Sequence, residues 1–269
     1  MKDDRPAPLA NFPAAVARSV RGVLTDVDDT LTTAGAITPE ALNALAELRA
    51  AGLPVMAITG RPMGWSEAFA RDWPIDAIVA ENGAVAMFRQ GSKLQFEYAQ
   101  DEATRQANAQ RLKDVSARVL AEVPGSTLAR DSAGRVTDIA IDHGEFARLD
   151  KRQIEQVLHL MRQAGMTATV SSIHINGWYG NHDKLSGARW IVRRLLGRDL
   201  DAEAADWVYV GDSTNDQAMF AHFPLSIGVA NLMHFAAELG VWPAYLTLGE
   251  RGAGFAEVAR MLVAARGPA

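Results

Sequence analysis

The stretch Gly22-Val23-Leu24-Thr25-Asp26-Val27-Asp28-Asp29-Thr30-Leu31 constrains this chain more than any other, because a short apolar run with the composition of a buried strand leads directly into carboxylates. In open α/β sheets the ligand site lies outside the carboxyl ends of the strands. Alternate residues of an extended chain share a face, so Asp26 and Asp28 point the same way if the strand continues. If a loop begins between them, Asp26 and a backbone carbonyl can instead meet one hard cation, which takes oxygen ligands. Taken alone, the same ten residues also describe a strand followed by a polar turn capped by Asp and Thr. The rest of the chain decides between these readings.

Downstream, Thr38-Pro39-Glu40 supplies an N-cap, a proline at the first helical position and an acid in the first turn. Leu42, Leu45 and Leu48 follow at helical spacing, and Gly52 is placed to end the helix. Leu53 to Ile58 is the next apolar strand and runs into Thr59-Gly60-Arg61-Pro62. A short helix around Trp65 to Arg71 leads to a third strand, Ala77 to Ala80, which ends in Glu81-Asn82-Gly83. Strands alternating with helices, each strand ending in polar residues and glycine, predict a doubly wound parallel sheet of Rossmann-like α/β type.

The pattern changes after residue 83. Ala84 to Phe88 and Lys93 to Tyr98 read as a hairpin around Arg89-Gln90-Gly91-Ser92, followed by a helix from Glu102 to Glu122. Strands are expected at 126–129, 136–141, 167–170 and 173–176, with a second helix at 146–163. This is the signature of an antiparallel sheet with helices on one face. The parallel pattern then resumes: a helix from Lys184 to Leu196, a strand from Trp207 to Val210 running into Gly211-Asp212-Ser213-Thr214-Asn215-Asp216, short strands at 225–229 and 244–246, and a helix at 256–264. The predicted organisation is a core of residues 1–83 and 183–269, with an inserted α+β unit of residues 84–182.

Composition narrows the function classes. The 269 residues hold no cysteine, which excludes thiolate catalysis, cysteine-ligated zinc and disulfides, and which suits a reducing cytoplasm. A net charge of -5 argues against a general nucleic-acid binder, whose affinity rests on Lys and Arg. No window is apolar for long enough to span a bilayer. The segment Met1 to Arg21, with its charged start and Pro6, Pro8 and Pro13, lacks the apolar core of a secretory signal and is read as an extension lying on the first domain. The histidines show no His-Glu-x-x-His spacing of a zinc site.

Four polar clusters fall at strand or helix ends of one predicted sheet: Asp26 with Asp28, Thr59, Lys184, and Asp212 with Asn215 and Asp216. A carboxylate nucleophile, a hydroxyl, an ammonium and a metal-binding carboxylate are together what phosphoryl transfer requires. In their order and spacing, Asp26-Val27-Asp28-Asp29-Thr30, Ile58-Thr59-Gly60-Arg61, Asp183-Lys184 and Gly211-Asp212-Ser213-Thr214-Asn215-Asp216 resemble the four motifs of the haloacid dehalogenase superfamily. The resemblance is to its Cof-like phosphohydrolases, which carry an α/β cap between the second and third motifs, and it covers nearly all of the chain after Gly22. It implies that Asp26 is a nucleophile forming an aspartyl phosphate, and that Asp28 is the acid that protonates the leaving group and then the base that activates water. It implies Mg2+ held by Asp26, Asp212 and the main-chain carbonyl of Asp28. Thr59, Gly60, Lys184 and Asn215 would bind phosphoryl oxygens, with Asp216 supporting Lys184.

The same resemblance makes the expected reaction hydrolysis of a small phosphate ester, a sugar or polyol phosphate, with no nucleic acid, membrane or obligatory protein partner. A phosphomutase and a phospho-accepting signalling receiver are the competing readings; the receiver orders these groups differently along the chain and lacks the large insertion. Arg61, Glu81, Asn82, Asn181 and His182 are expected near the substrate, although an Arg61–Glu81 ion pair bracing the loop is an equal reading for the first two. Trp178 and Tyr179 read as a packed hinge, with stacking on a sugar as the other reading. Asp29 stands where the family usually has glycine, in a turn whose dihedrals aspartate tolerates better than most residues.

Overall fold

The computed structural model describes residues 5–267. Its frame is a nine-stranded sheet in the order Ala7–Pro8, Tyr245–Leu246, Leu225–Gly228, Trp207–Gly211, Gly22–Thr25, Val55–Ile58, Ala77–Ala80, Val85–Gln90, Lys93–Tyr98. The first seven are mutually parallel, and the last two are added by antiparallel pairings. Gly22–Thr25 is the middle strand. The chain passes from it to Val55–Ile58 on one side and returns to Trp207–Gly211 on the other, so the strand order reverses there and opens a crevice at the carboxyl ends.

Both faces of the sheet are covered, which is why its strands read as continuous apolar runs and not as alternating ones. Val23, Val55, Ala57, Ile78, Val208 and Val210 pack on one face with Leu45 and Leu48 of helix Pro39–Ala50 and with Phe255, Val258 and Leu262 of helix Arg251–Arg266. Leu24, Met56, Ile58, Val79, Trp207 and Tyr209 pack on the other face with Ala188, Ile191 and Val192 of helix Lys184–Leu196 and with Met219 and Phe220. The N-terminal segment lies on this core as expected: Ala7–Pro8 adds an edge strand, and Leu9 and Phe12 are buried. Met1 to Asp4 of that segment lie outside the described residues.

A second, four-stranded antiparallel sheet, in the order Thr167–Val170, His174–Trp178, Asp138–Asp142, Thr127–Leu128, packs with helices Glu102–Glu122 and Lys151–Gln163 around its own apolar cluster. Two expectations are corrected here. The hairpin at 85–98, assigned by sequence to the inserted unit, instead extends the main sheet, because Val85 to Phe88 are buried and pair with Ala77–Ala80. The second helix starts at Lys151 and not at residue 146. Asp142 accepts hydrogen bonds from the amides of Gly144, Glu145, Phe146 and Ala147, which turns that stretch into a loop, and Asp150 with Gln153 forms the capping box that starts the helix.

Candidate active site

The middle strand delivers Asp26 in register, since its amide still donates to Val210 O at 2.9 Å, and the chain then turns back on itself through Val27, whose carbonyl accepts from Thr30, Leu31 and Thr32. Asp29 sits in that turn at φ 52°, the left-handed region that its aspartate was expected to tolerate. Its carboxylate pairs with Arg251 at 3.0 Å.

Lys184 begins a helix capped by Asp183 and Ser186, and is held at the crevice by an unusually close approach. A Cβ on Gly83, at φ 105°, would stand 2.1 Å from Asp183 O, and one on Gly187 would stand 2.6 Å from Gly83 Cα. These two glycines let the backbone after Ala77–Ala80 touch the start of the helix. Lys184 Nζ then donates to Asp26 and to Asp216, each at 2.7 Å, and all three groups are buried.

Asp26, Asp212 and Asp216 bring carboxylate oxygens within 4.8 Å of one another. Three buried carboxylates face one ammonium, and the electrostatics follow. Burial pushes Asp26 up to about 7 against the pull of Lys184, with Asp216 and Asp28 adding to the rise. Burial, then Asp26 and Asp216, drives Asp212 well above the usual carboxylate range. Lys184 is also raised: burial opposes its charge, but Asp216 and Asp26 outweigh it. A cation among these oxygens would relieve the excess negative charge.

The lone pairs identify which carboxylates are free to hold it. Asp216 accepts from Lys184 Nζ and from Tyr209 Oη (2.5 Å) on one oxygen, and from the amides of Asp212 (2.9 Å) and Ser213 (3.1 Å) on the other. With four donors it is saturated, a brace for Lys184 and for the Asp212 loop. Among the described residues Asp212 receives only Thr30 Oγ1 at 3.5 Å and Asn231 Nδ2 at 3.1 Å, and Asp26 receives only Lys184 among side chains. The acidic cluster therefore fits a metal, with Asp26 and Asp212 the carboxylates that retain acceptor capacity.

Around this centre, Thr59 is buried at the end of Val55–Ile58, its Oγ1 accepting from Arg61 N at 3.0 Å. Asn82, at φ 55°, is buried with its Nδ2 unpartnered and its amide next to Gly60. Asn215 accepts from Ser213 Oγ at 2.9 Å through Oδ1, which fixes the amide and directs its NH2 elsewhere.

Four more residues were expected near the substrate: Arg61, Glu81, Asn181 and His182. Arg61 is 4% exposed and donates to Asp28 (2.9 Å), Asp131 (3.0 Å) and Glu145 (3.0 Å), so its guanidinium is occupied by protein, and its partner is not Glu81. Glu81 accepts instead from Met63 N, Val136 N, Thr137 N and Thr137 Oγ1, tying the core to the inserted unit; burial and Asp138 push it up to about 7. Asn181 is exposed and makes no hydrogen bond among the described residues, while His182 is buried with its ring stacked on Trp178. Trp178 and Tyr179 are buried, as a packed hinge requires.

Sequence reasoning missed Asn231, Asp131, Glu145 and His174. Asn231 is buried behind the metal-type cluster, donating to Asp212 and to Asp29 O (3.0 Å) and accepting from Arg251 N (2.8 Å). Its signal was available, since it follows the strand Leu225–Gly228 as Asp212 follows Trp207–Gly211. Asp131, Glu145 and His174 meet Arg61 or one another only across the fold.

Fold and site together define an α/β protein with a buried carboxylate–lysine centre at a parallel-sheet switch point. The model of the haloacid dehalogenase-like hydrolase family matches residues 23–122. Among solved structures, the C-terminal domain of the Candida albicans trehalose-6-phosphate phosphatase is 16% identical, over 97% of this chain and 99% of that one, with a TM-score of 0.68. The sucrose-phosphatase of Synechocystis, solved with sucrose and phosphate, is 15% identical over 90% and 98%, with a TM-score of 0.64. A haloacid dehalogenase-like hydrolase of Bacteroides thetaiotaomicron is 14% identical over 90% and 98%, with a TM-score of 0.62. No curated protein matches the chain by sequence. The match to that family model and the likeness to these solved structures show that the chain shares the haloacid dehalogenase-like hydrolase fold. Among the described residues no helix is long and apolar enough to cross a membrane.

Proposed function

We propose that this chain is a Mg2+-dependent phosphatase that hydrolyses a small phosphorylated metabolite, a sugar or polyol phosphate, through an aspartyl phosphate on Asp26. The observation that carries the reading is the buried Lys184 clamped between Asp26 and a saturated Asp216, beside an Asp212 with acceptor capacity left over. Such an arrangement concentrates negative charge at one strand end and keeps a fixed ammonium there to meet phosphoryl oxygens. The fold shared with sugar-phosphate phosphatases supports the substrate class.

In this reading an Asp26 oxygen attacks phosphorus, the bond from phosphorus to the ester oxygen breaks, and Asp28 gives its proton to the departing alkoxide. Asp28, now a carboxylate, takes a proton from water, whose oxygen attacks the aspartyl phosphate. The bond from phosphorus to Asp26 breaks and phosphate leaves. Lys184, Thr59, the Gly60 amide, Asn82 and Asn215 surround the phosphoryl oxygens, and donors fixed in advance are typically the largest catalytic contribution. Asp26, Asp212 and the Asp28 carbonyl would hold Mg2+, which when bound offsets the repulsion between the Asp26 carboxylate and the phosphate. The inserted unit, the cap of residues 84–182 in the sequence reading, would cover the site; the hairpin at 85–98 then belongs with the core.

The test is phosphate release from a panel of phosphorylated metabolites. Asp26→Asn should remove turnover while leaving the circular dichroism spectrum intact. Chelator should abolish activity and Mg2+ restore it, with Ca2+ a poor substitute because its larger, looser shell misplaces the reacting atoms. Ordinary multiple turnover by Asp26→Asn would refute the covalent route.

A further inference from the structure

We propose that Glu145 and Phe146 form the leaving-group subsite, and that it admits one sugar ring or a short polyol while excluding disaccharides and leaving groups that carry a second anion. The proposal rests on the phosphatase reading, and takes its geometry from a cavity of about 260 Å³ bounded by Asp28, Asp29 and Arg61 on one side and by Glu145, Phe146 and Ile173 on the other. If Asp28 protonates the ester oxygen, the group leaving with that oxygen extends into the space against Asp28, which is this cavity.

Its size sets the first limit, since sites for drug-sized ligands occupy about 300–1,000 Å³ and this one falls below that range. The solved relatives named above include phosphatases of trehalose 6-phosphate and of sucrose phosphate, whose leaving groups have two rings. Here the hairpin Thr32–Thr33/Ala36–Ile37 borders the cavity through Thr32, Ala34 and Gly35, and the inserted unit borders it from the far side. These walls narrow the cavity towards the volume of a single ring.

Charge sets the second limit. Asp28, Asp29 and Glu145 line the cavity against a single lining cation, Arg61, each of whose three nitrogens already donates to a carboxylate. Glu145 stays ionised: His174 and Arg61 hold its carboxyl down at about 2 despite partial burial. Its two oxygens each accept one bond, from Arg61 Nη2 and His174 Nε2, both at 3.0 Å, which leaves acceptor capacity facing the cavity. An acceptor-only wall suits hydroxyl hydrogens and repels a carboxylate or a second phosphate.

The loop is built to hold this pair in place. Asp142 accepts four consecutive amides from Gly144 to Ala147 at 2.9–3.2 Å, fixing the backbone that presents both residues. Phe146 is 56% exposed, large and apolar, with the Arg130 guanidinium 3.6 Å from its ring centroid. A carboxylate next to an exposed aromatic ring matches the two aspects of a sugar, hydroxyls at the rim and C–H groups on the face.

The experiment compares kcat/KM for glucose 6-phosphate, glycerol phosphate, trehalose 6-phosphate, fructose 1,6-bisphosphate and p-nitrophenyl phosphate, each with Mg2+. The wild type should prefer glucose 6-phosphate or glycerol phosphate to the disaccharide and the bisphosphate by at least about ten-fold, the scale of one lost charge-assisted hydrogen bond. Glu145→Gln should lower the ratio of glucose 6-phosphate to p-nitrophenyl phosphate by about ten-fold, chiefly through KM, and narrow the gap to the bisphosphate. Phe146→Ala, at an exposed position that does not threaten folding, should lower the same ratio for glucose 6-phosphate. Higher specificity constants for trehalose 6-phosphate or fructose 1,6-bisphosphate than for both smaller monophosphates would overturn the subsite, as would ratios that neither variant moves. Absence of phosphate release from every ester, p-nitrophenyl phosphate included, would instead refute the phosphatase reading and the subsite with it.

Discussion

His182 offers a quantitative test of how the return from the inserted unit to the core is held. Its imidazole is 9% exposed and stacks on Trp178 with ring centroids 5.6 Å apart, and Nε2 has no partner among the described residues. Burial pushes its pKa down to about 4, with Asp183 pulling weakly the other way. In the unfolded chain a histidine takes a proton near pH 6.5, whereas this one resists until about pH 4. Between those values the unfolded state binds more protons, so stability is intact above about pH 6.5 and falls as the pH drops. The loss attributable to this residue is about 2 kcal/mol between pH 8 and pH 5 and about 3 kcal/mol below pH 4. His182→Phe keeps a ring against Trp178 and removes the titration. Urea unfolding of both proteins at pH 8 and pH 5 isolates the contribution, because the opposite trends from Asp26 and Glu81, both raised to about 7, cancel in the difference. The variant should gain about 2 kcal/mol on the wild type between the two conditions. An unchanged gap, with the His182 resonances titrating near 6.5 in NMR spectra, would refute the reasoning.

Two further outcomes follow from contacts around the metal-type cluster and Lys184. Asn231→Ala removes the donor to Asp212 and should weaken the Mg2+-dependent rise in Tm, with apparent affinity down about 10–100-fold, as loss of a ligand's supporting hydrogen bond typically does; a thermal-shift titration checks it. Gly83→Ala drives a Cβ into the Asp183 carbonyl and should destabilise the fold by about 1–3 kcal/mol in urea, with kcat falling because Lys184 is displaced.

Much of the frame was legible in the sequence. The strand Ala77–Ala80 and the helices Glu102–Glu122 and Lys184–Leu196 stand at the predicted residues, because an apolar run or an Asp cap marks each start locally. The hairpin at 85–98 was recognised, but nothing local says which sheet a hairpin joins; that depends on Val85 to Phe88 finding Ala77–Ala80. Residues 146–150 read as helix but form a loop, because the amides of Phe146 and Ala147 are claimed by Asp142, a competition that a periodicity argument does not register. Asp26, Lys184, Asp212 and Asp216 were legible because each sits at the end of an element whose position the sequence dictates. The partners of Arg61 were not, since Asp131 lies 70 residues and Glu145 84 residues further along the chain.

Those distant partners describe a seam between core and inserted unit that is largely polar. Arg61 reaches Asp131 and Glu145, Arg135 and Asn176 donate to Gly60 O, Glu81 accepts from Val136 and Thr137, and Thr214 donates to Val170 O. The large apolar clusters lie on the two faces of the main sheet and within the inserted unit, with Val136 among the few apolar residues to pack across. Separating an apolar interface exposes surface to water with nothing in return, whereas parting this seam exchanges protein hydrogen bonds for hydrogen bonds to water, a much smaller net change per contact. The charged contacts carry specificity instead. The planar guanidinium of Arg61 aligns Asp28 of the strand-end loop with Asp131 and Glu145 of the inserted unit in one fork, which the single ammonium of a lysine could not reproduce. Docking of the inserted unit and orientation of Asp28 therefore depend on the same side chain, and a change that disturbs one must disturb the other.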